Sequence, residues 1–119
     1  MPADITLTGN LQGLSTVGGA LGPASFSYSL DNAANFHTQE IPVSLSASAQ
    51  SVTVPAVGTQ RLFYLKTTQD VDVTLNAEPQ GTLLAGGVLI RCGMADVTTI
   101  LFDGNGSIDA IVFLTVVGD

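Results

Sequence analysis

Few side chains in this chain are able to do chemistry: one His, one Cys, three basic and ten acidic residues among 119. Cys92 follows Arg91, and a nucleophilic thiol needs an imidazole nearby to take its proton. His37 is the sole candidate, and nothing in the sequence brings the two together. His37 precedes Glu40 by three residues, which on a strand places them on opposite faces, and no H-E-x-x-H or second His exists to hold zinc. Asp70 and Asp72 stand two apart, so both share one face of a strand, as a metal-holding pair would; no phosphate loop or α/β pattern accompanies them. Asp103-Gly104-Asn105-Gly106-Ser107-Ile108 looks like half a calcium loop. Aligning Gly106 with that loop's glycine puts Leu101 at the first ligand position and Val112 at the twelfth, where carboxylates are required. The segment therefore reads as a hairpin turn, with Gly104, Asn105 and Gly106 free to take positive φ. Gly86-Gly87 is followed by neither a helix start nor a Lys, so it is no phosphate cradle. There is no G-x-S-x-G elbow for a serine nucleophile. The expectation is a protein with no catalytic, metal or cofactor site, and not an enzyme.

Composition narrows the classes further. Charged residues make up 11% of the chain and the net charge is −7, against about 25% charged residues in an average domain. Arg61, Lys66 and Arg91 are too few to neutralise a nucleic-acid backbone or to hold an anionic membrane. Trp is absent and aromatics are sparse, which is thin for a sugar site. Cys92 alone forms no internal disulfide. Met1-Pro2-Ala3-Asp4 shows no basic segment followed by an apolar one, and the longest apolar run, 108–117, is half of what a membrane helix needs. The expectation is synthesis in a cytoplasm without a signal peptide or transmembrane segment.

The elements that position these residues follow a period of two. Phe26, Tyr28 and Leu30 alternate with Ser25, Ser27 and Ser29; Ile41, Val43 and Leu45 with Glu40, Pro42 and Ser44; Val71, Val73 and Leu75 with Asp70, Asp72 and Thr74. Each set lies on one face of a strand. Strands are expected over 4–8, 24–30, 36–46, 50–54, 61–67, 71–76, 82–92, 97–102 and 108–117, with no helix. Pro42 suggests an edge or bulge. The run 61–67, apolar on both faces at its centre, suggests a central strand. Glu78-Pro79-Gln80-Gly81 reads as a turn, and Gly86-Gly87 as a corner within one strand. Residues 9–24 hold five glycines and read as a loop or arm. The chain reads as one domain over 1–119: an all-β, two-sheet antiparallel sandwich, jelly-roll-like, of eight or nine strands.

The last strand is apolar on both sides. Ile108, Ala110, Val112, Leu114 and Val116 share one face; Ile111, Phe113 and Val117 share the other, with Asp109 and Thr115. A sandwich strand keeps one face wet, so the second face is expected against another subunit. Leu11, Leu14, Val17 and Leu21 in the 9–24 segment are the further candidate contacts, an arm that orders on a neighbour. This pattern of many short strands, a Gly-rich N-terminal arm and the closing run LFDGNGSIDAIVFLTVVGD resembles the small virion proteins of tailed bacteriophages, of the capsid-decoration and tail or head–tail accessory types. The resemblance implies a non-enzymatic structural protein in the virion. It would form a homo-oligomer, a trimer among the options, docked on capsid or tail proteins. The competing reading is a ligand-binding β-module, such as a carbohydrate-binding or lectin-like domain.

Overall fold

A computed structural model describes residues 3–14, 20–33, 35–92 and 94–118. Among them the structure is all strand and connection, with no helix long and apolar enough to cross a membrane. The chain divides into two compact units, Met1–Ala33 and Ala34–Asp119.

The first unit is a two-stranded antiparallel sheet of β1 (Ala3–Leu14) and β2 (Ala20–Ala33). Its ladder runs from Ala3↔Ala33 to Leu14↔Ala20, with register shifts between Ala3 and Ile5 and between Leu11 and Gly13. Thr6 Oγ1 and Ser29 Oγ share a 3.4 Å hydrogen bond across it. Of the segment expected as a loop, 9–14 and 20–24 are strand; 15–19 lies outside the described residues. A ladder of backbone hydrogen bonds does not require a Cβ, so glycine-rich sequence can still pair while showing no alternation.

The second unit is a sandwich of two four-stranded antiparallel sheets. Its strands are β3 (Asn35–Val43), β4 (Gln50–Thr53), β5 (Gln60–Thr67), β6 (Val71–Leu75), β7 (Glu78–Leu83), β8 (Val88–Cys92), β9 (Thr99–Gly104) and β10 (Ala110–Gly118). One sheet has the order β3-β10-β5-β8, the other β4-β9-β6-β7. The topology has a simple description. β3 pairs with β10, β4 with β9, β5 with β8 and β6 with β7, which is one long hairpin folded at Asn76-Ala77. Rolling that hairpin adds the pairs β10–β5 and β9–β6 and closes a jelly roll. The two-sheet antiparallel sandwich expected from the period of two is the fold.

Alternation decides which residues fill it. Ile41, Val43, Phe63, Leu65, Val112, Leu114 and Val116 face inward from one sheet, and Val71, Val73, Leu75, Ile100 and Phe102 from the other; all are buried in one cluster. Each large side chain so buried contributes about 1.5–3 kcal/mol. β5 lies between β10 and β8, as its apolar centre predicts, and β3, with Pro42, is an edge.

Three local readings are corrected. The turn lies at Asn76-Ala77 (φ 50° and 66°), not at 78–81. Pro79 instead sits in β7, an edge strand where its missing N–H is tolerated, and the ladder slips between Val73↔Gly81 and Thr74↔Pro79. The run 82–92 is two strands in different sheets. Gly86 takes φ +76°, and its N–H donates to Thr67 O at 2.9 Å as the chain crosses over. The segment 103–108 is a crossing between sheets, not a hairpin, and none of Gly104, Asn105 and Gly106 is in positive φ. Gly104 is needed for closeness: a Cβ there would lie 2.5 Å from Ser44 O.

Candidate functional site

The acidic residues hold loops. Asp70 Oδ1 accepts from Ala85 N at 2.8 Å, Asp96 Oδ1 from Gln60 N at 2.9 Å, Asp103 Oδ1 from Ala49 N at 2.7 Å and Asp109 Oδ1 from Leu45 N at 2.9 Å. Asp72 Oδ1 accepts from Thr82 Oγ1 at 2.6 Å and Asn105 Nδ2 at 2.8 Å. A carboxylate on a backbone N–H makes one of the stronger hydrogen bonds available to a loop. Among the described residues no group of three His, Cys, Asp or Glu side chains is placed to hold a metal ion.

His37 and Cys92 do not meet. They lie on opposite faces of one sheet and on its two edge strands, three strand spacings or about 14 Å apart. His37 Nε2 and Gln39 Oε1 share a hydrogen bond of 3.3 Å. Cys92 is half-buried and unbridged, and its burial pushes the thiol pKa up, away from thiolate chemistry.

What remains is a surface. On the outer face of the β3-β10-β5-β8 sheet, register sets four transverse rows: Phe36, Val117, Leu62 and Cys92; Thr38, Thr115, Tyr64 and Ile90; Glu40, Phe113, Lys66 and Val88; Pro42 and Ile111. Nine large apolar side chains are exposed among the described residues. Five of them, Phe36, Val88, Ile90, Ile111 and Phe113, lie on this face, and the other four are in connections. Phe113 is 37% exposed and Ile111 42%. Glu40 and Lys66 flank Phe113 on either side, and neither side chain makes a hydrogen bond or ion pair among the described residues. A shallow depression of about 280 Å³ runs beside Phe113, between Thr38, Gln39, Glu40, Leu114 and Thr115.

The residues singled out from sequence separate on this map. Ile111 and Phe113 are exposed together, whereas Val117 is fully buried, as is its row neighbour Leu62 at 4% exposure. Leu11 and Leu14 fall in β1 and Leu21 in β2; Val17 lies outside the described residues. Sequence reasoning missed Val88, Ile90, Glu40 and Lys66. The alternation of Val88 and Ile90 with Leu89 and Arg91 was readable once Gly86-Gly87 is taken as a strand end. Glu40 and Lys66 become neighbours of Phe113 only through the long-range register.

A second concavity, an open groove of about 440 Å³, lies where the edges β7 and β8 part, lined by Leu75, Asn76, Glu78, Gln80, Leu89, Ile90, Arg91 and Met94. Arg91 shares the inward side of its sheet with Phe63. Inward-pointing charge on an edge strand also blocks edge-to-edge pairing.

No family model matches the chain, and no curated protein does. Among solved structures, the chain is similar to a conserved protein of unknown function from Pseudomonas aeruginosa PAO1. The TM-score is 0.55 and the identity 17%, over 98% of this chain and 79% of that one. The likeness is one of fold.

Proposed function

We propose that this chain is a non-enzymatic assembly protein that works through the outer face of the β3-β10-β5-β8 sheet. The observation that carries the reading is the gathering on that face of five of the nine large apolar side chains exposed among the described residues. Exposed apolar side chains gathered on one face mark contact sites, and their burial contributes about 25 cal/mol per Å² before association costs. The scarcity of charge favours the same reading: Glu40 and Lys66 are the charged residues of these rows, beside Thr38, Thr115 and Tyr64. The setting we propose is the one the resemblance implies: a capsid-decoration or tail-associated component of a phage virion.

Phe113→Glu tests the contact. It places a carboxylate on the face without touching the core, so the expected result is loss of self-association at unchanged melting temperature. A variant with the parent's native mass would remove this face from the account. Mass spectrometry of purified particles tests the setting: the chain present at the level of a capsid or tail part supports it, and its absence refutes it. The second reading, a ligand-binding module, is favoured by the groove beside Arg91. A glycan array with signal lost in Arg91→Ala supports it.

A further inference from the structure

The same face is self-complementary in charge as well as apolar, and we infer that its partner is a second copy of this chain, related by a two-fold axis lying along β10; this rests on the assembly reading above. Register places Glu40, Phe113 and Lys66 in one transverse row on three adjacent strands. A two-fold axis in the interface plane and parallel to β10 exchanges the positions of β3 and β5 and leaves each row at its own height. Glu40 of one copy then faces Lys66 of the other, twice, and Phe113 faces Phe113.

The next row behaves in the same way, with Thr38 facing Tyr64. Neither the Glu40 nor the Lys66 side chain has a hydrogen-bond or ion-pair partner within the chain among the described residues. Lys66 is one of only three cations in a chain of net charge −7, and it stands amid the apolar face rather than at its rim. A charge there without a complement opposes contact; matched by Glu40, it selects one orientation.

The size of the face sets the strength. With the axis along β10, only β3, β10 and β5 face their mates, and the row of Val117 and Leu62 is already buried; three strands about 4.8 Å apart with about six residues of open length offer roughly 300 Å² per copy. Roughly 600 Å² in total is below a standard specific interface and is the size of a weak, transient contact. The dimer therefore dissociates on dilution, and its charge pairs weigh measurably in the equilibrium.

The test is sedimentation of the full chain, as wild type, Glu40→Lys, Lys66→Glu, both together, and an equimolar mixture of the two single variants. All positions are exposed, and thermal melts confirm that each variant is folded. Each single variant sets like charges opposite one another twice, which weakens the dimer about tenfold or more. The double variant and the mixture restore opposite charges and recover the dimer. A trimer, or a dimer indifferent to these changes, overturns the two-fold arrangement and leaves the assembly reading standing. A monomer at every concentration overturns both.

Discussion

Gln60 joins the two sheets, and its removal has a magnitude that follows from its hydrogen bonds. The side chain is 7% exposed at the start of β5. Its Nε2 donates to Val97 O at 2.9 Å and its Oε1 accepts from Val97 N at 2.9 Å, so one amide satisfies both backbone polar groups of Val97, just before β9. Gln60→Leu keeps the volume and leaves a buried N–H and C=O without partners. At about 1–3 kcal/mol for each such group, the loss is about 2–6 kcal/mol, a large part of the stability of an ordinary domain. Urea unfolding at pH 7 should show the midpoint falling with an unchanged slope. Gln60→Glu sharpens the test, because an ionised carboxylate accepts from Val97 N but repels Val97 O, while the protonated acid again donates. Burial beside a carbonyl raises the folded-state pKa of that new carboxyl above its unfolded value. The folded state then holds the proton more tightly, so the variant is most stable below about pH 4 and loses stability as pH rises through the folded-state pKa. A Gln60→Leu chain as stable as wild type, or a Gln60→Glu chain with the wild-type pH dependence, would refute this account of the bracket.

Other positions make narrower tests. Asn76 Oδ1 accepts from Thr98 N, Thr98 Oγ1 and Thr99 N, and its Nδ2 donates to Asp96 O. With φ at 50°, Asn76→Ala should cost about 2–3 kcal/mol in chemical denaturation, and Asn76→Gly somewhat less because it relieves the backbone. Gly104→Ala drives a Cβ against Ser44 O and the Leu45 carbonyl and should lower the thermal midpoint by several degrees. Cys92, its thiol pKa raised by burial, should react with a disulfide reagent more slowly than a free thiol at pH 8, and faster as pH climbs. Equal rates would contradict its placement.

Short-range pattern was enough for the sandwich but not for its register. Ile41-Pro42-Val43 and Val71-Asp72-Val73 declare strand faces by alternation alone. β10, apolar on both sides, declares a strand whose outer face is unusual. Pairings such as Val116↔His37 or Val71↔Gly104 join residues far apart in sequence, and no local pattern encodes them. Pro79 and Gly81 mimicked a turn because an edge strand with a slipped ladder tolerates the same residue types as a turn. Gly9, Gly13 and Gly22 hid strand pairing, since a glycine has no side chain to alternate. For the contact face, Ile111 and Phe113 were legible in the sequence, whereas Lys66 and Glu40 were not, because only the rolled hairpin sets β3 and β5 on either side of β10. Val117 shares the parity of Ile111 and Phe113 yet is buried, a reminder that parity fixes a face and not its exposure.

Association through the outer face of the β3-β10-β5-β8 sheet is tested by sedimentation velocity of the wild-type chain over a wide concentration range. A discrete oligomer at high concentration that dissociates reversibly on dilution is expected. A single species of monomer mass at every concentration would contradict it.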